Sequence, residues 1–240
     1  MEIHPEHKKI LAELISRSGK GTKHTFLENY LGTSHARYAI SNPGMREIAR
    51  NWSKANTALS ANEFRDVVAS LVKGKSYNEK LMAGFLLGYA KPHQRKFRVS
   101  TFNEWLDELE GWAEVDTLCT GKFAQIEIAS NFDKWLPLLR KLARSKSIQK
   151  RRASLVLFCS PIAHSPDEAM ADAALENIDK LKHEKDVLIT KAISWLLRTM
   201  IRHHKNKVVG YLDTNGATLP SIAVRETTVK LKTGTKTKRP

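Results

Sequence analysis

The sequence is poor in anything that could staple or anchor it. Its 240 residues hold only two cysteines, Cys119 and Cys159. Neither belongs to a C-x-x-C pair, so there is no disulfide framework and no zinc-type spacing. Both lie in apolar helical contexts and read as reduced core residues. No H-E-x-x-H occurs, and the adjacent His203 and His204 point to different faces of a helix, so neither a metal nor another cofactor is expected. No apolar run approaches the roughly 18 residues that would cross a bilayer. The opening MEIHPEHKKILAELI is acidic early and lacks an A-x-A-like site, so no secretory signal is expected. SGKGTK at 18–23 lacks the G-x-x-x-x-G-K-[ST] spacing of a phosphate-binding loop. Alternating strand-like stretches are missing, and short runs such as KVVGYL sit between helical neighbours.

Acidic residues are also scarce: 25 Asp and Glu face 40 Lys and Arg, a net charge of +15. An excess of that size points to a polyanion, with nucleic acid ahead of an anionic membrane surface. The expected setting is the cytoplasm, with activity at the nucleoid.

What remains is helix. Ile10, Leu11, Leu14 and Ile15 repeat at helical spacing within 5–17. A short helix is expected at 24–31. Asn42 is placed to cap a helix, with Pro43 at its first position, running through Trp52. Further helices are expected at 61–72, 77–90, 102–109, 112–129, 131–144, 146–159 (closed by Pro161), 166–181, 184–204, 206–214 and 218–231. The basic stretch 91–100 reads as a solvated linker. KTGTKTKRP at 232–240 has no apolar residue and reads as a disordered tail beyond a single domain at 1–231.

The inner members of successive helix pairs resemble one another: KLMAGFLLGY, VDTLCTGKFA, KRRASLVLFC, TKAISWLLRT and AVRETTVKLK. Their spacing is near that of HEAT and armadillo repeats. The expected fold is all-α, a superhelical array of antiparallel helical pairs with a concave basic groove. An irregular helical bundle is the alternative.

Chemistry concentrates in Gly111–Phe123, GWAEVDTLCTGKF. Trp112 and Asp116 are four residues apart with no breaker between them, so on a helix an indole and a carboxylate share one face. Taken alone, such a tryptophan is more often core, and such a pair is more often structural or solvated.

Four segments together resemble the AlkD-like DNA glycosylases of alkylation repair, a likeness covering about Phe26 to Lys230. They are YLGTSHARYAISNPGMR at 30–46, GWAEVDTLC at 111–119, QKRRASLVLF at 149–158 and ITKAISWLLRTM at 189–200. The resemblance implies a HEAT-like fold that cradles duplex DNA and removes cationic alkylated purines such as 3-methyladenine and 7-methylguanine, with the base still stacked. It implies a catalytic trio of Trp112, Asp116 and Trp195, a backbone-contacting Arg152, and Tyr30 near the DNA. Ala39 and Ser194 stand where that family has glycine, and Thr199 where glutamate is common. Arg46, Lys150, Arg151, Lys191 and Arg198 are further candidates for DNA-backbone contact. The expected partner is double-stranded DNA, especially alkylated, with no membrane association and a monomeric state.

The chemistry suits these residue types. N-glycosidic hydrolysis passes through an oxocarbenium-like sugar. An alkylated purine already carries positive charge and leaves neutral, so no general acid is needed. A carboxylate stabilises the sugar cation and orients water. Flanking indoles add roughly 0.5–2 kcal/mol each. An arginine on phosphate positions the duplex without reading its sequence. Two other functions share the pattern: a non-catalytic DNA-binding repeat protein, and a helical scaffold for an acidic protein partner.

Overall fold

The computed structural model describes residues 3–19 and 30–236. Among these no strand forms, and the nearest approach to one is an isolated bridge between Ala36 and Ser76. The all-α class expected from the sequence holds. Contacts divide the chain into two compact units, Met1–Phe123 and Ala124–Pro240.

In the first unit, α1 (Pro5–Ser16) packs on α2 (Asn42–Ala55) and α3 (Ala61–Val72). Both of those pack against α4 (Tyr77–Tyr89), which in turn packs against α6 (Gly111–Cys119). Between them lies a short α5 (Ser100–Trp105), extended as a 3-10 turn over Leu106–Glu108. The outer helices bury one stripe, as amphipathic sequences should: Ile10 and Leu14 in α1, Met45, Ile48, Ala49 and Trp52 in α2, Phe64, Val67, Val68, Leu71 and Val72 in α3. A side chain such as Phe64, 1% exposed, stabilises the fold by about 1.5–3 kcal/mol through burial.

α4 is different, buried without interruption from Tyr77 to Leu87. Its polar residues must therefore find partners inside the protein. The Asn78 side-chain oxygen accepts from the Tyr38 amide at 2.7 Å. Lys80 Nζ donates to the carbonyls of Val72 at 2.8 Å and Glu108 at 2.7 Å. Glu79 is held by His7 Nε2 at 2.8 Å and by the Ser76 amide at 2.8 Å. Ser76 and Glu79 also close a capping box, as Ser60 and Glu63 do on α3.

α7 (Lys122–Ser130) straddles the division. The second unit continues with α8 (Phe132–Ala143), α9 (Ile148–Ile162), α10 (Glu168–Leu181), α11 (Val187–Asn215) and α12 (Ser221–Thr233). α9 packs against α8, α10 and α11, and α11 packs against α12. Like α4, α9 is buried continuously, from Arg152 to Cys159. Asn177 of α10 donates to the carbonyls of Leu139 and Ser154, both at 3.1 Å, tying three helices together. The five self-similar segments of the sequence fall on α4, α6–α7, α9, α11 and α12. Both cysteines are buried, as core residues should be.

Several boundaries differ from the sequence expectation. The helix expected over 112–129 is two helices, because the chain leaves helical geometry at Thr120 (φ −119°, ψ −178°) and turns at Gly121 (φ +85°) before α7 begins. Ser41, not Asn42, caps α2, its side chain accepting from the Gly44 amide. Pro161 does not close α9, which runs on to Ile162. The stretch 91–100 is not simply solvated: Gln94 is 3% exposed and donates to the Asn56 carbonyl, and Phe97 stacks on Phe123 at 5.8 Å. The helices expected at 184–204 and 206–214 form one run, with a kink where His204 leaves helical geometry (φ −125°, ψ 40°). The expected tail at 232–240 begins inside α12, and Lys236 lies 3.4 Å from Glu226. Residues 237–240 lie outside the described residues, as do most of the helix expected at 24–31 and of the loop at 18–23.

Candidate active site and nucleic-acid interface

Two glycines bring the elements of the first unit close enough to build a site. A Cβ on Gly84 of α4 would stand 2.4 Å from the Thr117 carbonyl of α6, so only glycine permits that helix contact. Gly111 starts α6 at φ +63°, and a Cβ there would meet the Leu31 carbonyl at 2.0 Å. The chain at 30–35 therefore lies directly on the first turn of α6.

That approach delivers Tyr30 to Trp112. The Trp112 indole N–H donates to the Tyr30 carbonyl at 2.8 Å, and the two rings meet edge to face at 5.3 Å. One turn further along α6, half-buried Asp116 faces the same way. Trp112 and Asp116 line a pocket of about 410 Å³ with Tyr77, Phe85, Tyr89 and Arg46. The Arg46 guanidinium sits 4.4 Å over the Phe85 ring, a cation–π contact that leaves it exposed at the mouth. Burial pushes the Tyr77 hydroxyl above its usual pKa, so it is neutral there.

The second unit carries the other candidates. Trp195 is half-buried on α11. Its neighbour Ser194 is fully buried and donates to Glu226 of α12 at 2.6 Å. Arg198 joins them, its Nε 3.3 Å from the Ser194 hydroxyl and 3.4 Å from Glu226. Burial works against ionised Glu226, but the Ser194 hydrogen bond and the charges of Lys236 and Arg198 hold its carboxyl below the usual range. The serine that stands in for a glycine thus acquires a partner on the next helix. Lys191 is exposed.

Three basic residues on α9 sit deeper than the sequence implied. Lys150 is 9% exposed and Arg152 is 5% exposed. An Arg152 Nη donates to the Leu188 carbonyl of α11. Arg151 is engaged with Glu184 at 2.6 Å and with the carbonyls of Ser145 and Lys146. Arg151 and Arg152 thus help hold the second unit together.

Sequence reasoning passed over Glu114. It is fully buried inside the motif that carries Trp112 and Asp116. Its carboxylate accepts from Thr33 Oγ1 at 2.7 Å and lies 2.9 Å from His35 Nδ1, while its second oxygen accepts from the Glu110 amide at 2.7 Å. Glu110 in turn accepts from the Ser34 amide and hydroxyl, both at 2.7 Å, which lower its pKa. A signal was available: Glu110 and Glu114 flank a helix start, where carboxylates are favoured.

An all-helical chain with a strong basic excess and an aromatic–carboxylate pocket defines a class of proteins that work on nucleic acid. A family model described as DNA alkylation repair enzyme matches residues 10–231, and the chain belongs to that family. Membership implies DNA binding and an enzyme's role. The fold is similar to a solved structure described as a predicted DNA alkylation repair enzyme from Enterococcus faecalis. The TM-score is 0.70, at 16% identity over 87% of this chain and 94% of that one, so this likeness speaks for the fold. No curated protein matches the chain. Among the described residues no helix is long and apolar enough to cross a membrane, and no group of three His, Cys, Asp or Glu could hold a metal ion.

Proposed function

We propose that this protein is a monofunctional DNA glycosylase. It excises cationic purines such as 3-methyladenine and 7-methylguanine from duplex DNA by hydrolysing the N-glycosidic bond, without flipping the base. The observation that carries the reading is the pairing of Trp112 and Asp116 on one wall of an aromatic pocket, in a chain of the alkylation-repair family. In this reading Asp116 stabilises the sugar cation and orients water. Trp112 and Trp195 supply π faces to the cationic sugar. Arg46, Lys191 and Arg198 meet the DNA backbone, with Arg152 and Lys150 contributing from more buried positions. Neutral lesions such as uracil leave as anions and need a leaving-group donor, so they are poor substrates. The protein acts as a monomer, with its regular helices serving as one DNA-binding domain.

Incubating the protein with methylated duplex DNA and identifying the released bases tests this directly. Release of 3-methyladenine and 7-methylguanine is the expected result. Salt-dependent duplex binding without release would favour a non-catalytic DNA-binding protein. Binding to acidic protein in preference to duplex would favour a scaffold.

A further inference from the structure

We propose that Glu114 is a positioning residue, which locks the 30–35 segment onto α6 and so fixes the Trp112 indole against Tyr30. The inference rests on the glycosylase reading for its effect on activity, but its geometry stands alone. A fully buried carboxylate is costly unless satisfied. Glu114 meets that demand with groups from two places: Thr33 and His35 on the incoming segment, and the Glu110 amide at the start of its own helix.

The segment it grips is the one whose Tyr30 carbonyl accepts the Trp112 N–H. Trp112 and Glu114 are two residues apart, so on the helix they point in different directions. Trp112 faces the pocket while Glu114 faces inward. Glu114 therefore acts on the indole through the segment, not by contact with substrate.

Other charged groups face the clamp from its own helix, from the incoming segment and from α4. His35 lies between Glu114 and Glu110, with its Nε2 3.9 Å from the Glu110 carboxylate. From α4, the Lys80 ammonium feels the charges of Glu114, Glu108, Glu79 and Glu110, although burial lowers its pKa. Tyr77, also on α4, feels Glu114 and Arg37.

Glu114→Gln tests the clamp, because the amide keeps the shape but turns an N–H₂ toward one of the arriving donors. Thr33→Val, which removes a single donor, is the milder companion should the first variant fold poorly. The expected result for Glu114→Gln is release of 7-methylguanine slowed about tenfold in single turnover, with affinity for unmodified duplex within about twofold. Acrylamide should quench Trp112 more readily, read as the difference between each protein and its Trp112→Phe counterpart. In a Trp112→Ala background, Glu114→Gln should slow release no further, since both changes remove one unit. Thr33→Val should move release and quenching in the same directions by less. Additive losses in the double variant, or unchanged quenching in both clamp variants, would overturn the proposal. If the wild type releases no base, the glycosylase reading fails alone, and the quenching comparison still decides whether Glu114 positions the indole.

Discussion

The two units differ sharply in charge. Met1–Phe123 carries 18 Lys and Arg against 14 Asp and Glu, a net charge of +4. Ala124–Pro240 carries 22 against 11, a net charge of +11. The first unit concentrates acid just before and within α6: Glu104, Asp107, Glu108, Glu110, Glu114 and Asp116. The second has the bulk of the charge that attracts a polyanion. In the first unit Arg46 and Lys122 line the same pocket as Asp116, so the carboxylate sits among few cations, while in the second unit Lys and Arg outnumber Asp and Glu two to one. The difference suggests that chemistry and affinity can be broken separately.

The largest effect should come from the first unit. Asp116→Asn keeps the shape and removes the charge. Excision of 7-methylguanine in single turnover should fall by about 10²-fold or more, a barrier increase of about 2.7 kcal/mol. Binding to unmodified duplex should change little, because a lost carboxylate removes no phosphate contact. Equal rates would take Asp116 out of the chemistry.

Smaller losses are expected from the indoles, one in each unit. Trp112→Ala and Trp195→Ala should each slow excision by about 2- to 30-fold if they act as cation–π walls. Trp112→Ala also gives up the hydrogen bond to Tyr30, so it should be the more severe of the two. A larger loss at Trp195 would reverse that order and shift the weight of the site to the second unit.

Substitutions that remove phosphate contacts should act on binding in the second unit. Lys191 is exposed, and Lys191→Ala should weaken binding to every duplex by a similar factor, while lowering the slope of log affinity against log salt by about one. Arg152→Ala should do the same and also lower the melting temperature, because the guanidinium is buried against α11. A variant that loses stability without changing the salt slope would make Arg152 purely structural.

How much of this was legible depended on the kind of information each residue carries. Helices with one apolar stripe, such as 61–72, announced themselves because burial on one side leaves a period in the sequence. The pairing of Trp112 with Asp116 was legible because spacing along a helix fixes a shared face. Breaks set by backbone geometry were not: Thr120 and Gly121 sit in an otherwise helical run, and the extended Thr120 and the positive φ of Gly121 are what separate α6 from α7. Long-range partners left no local trace either. Nothing near Glu114 in the chain announces Thr33 and His35, and nothing near Ser194 announces Glu226. The depth of the basic residues of α9 was hidden for the same reason, since the carbonyls and the carboxylate that Arg151 and Arg152 meet lie elsewhere in the chain.

The smallest effect separates the units through acid. In the first, burial works against ionised Glu79, but hydrogen bonds from His7 and Ser76 hold its carboxyl below the usual range. In the second, Glu226 is lowered in the same direction by Ser194, Lys236 and Arg198. A carboxyl whose folded pKa is depressed binds protons less readily in the native state than in the unfolded chain. Its contribution is therefore fully present above the ordinary value of about 4.3, and is lost as pH falls through the lower folded value. Glu79→Gln and Glu226→Gln should each flatten the fall in melting temperature between about pH 5 and pH 3. At neutral pH each should cost about 1 kcal/mol, a shift of about 2–4 °C for a chain of this size. Glu79, with its side chain 4% exposed, should matter more than Glu226 at 15%, where solvent screens part of the interaction. Parallel melting curves across that pH range, for wild type and both variants, would remove these carboxylates from the acid response.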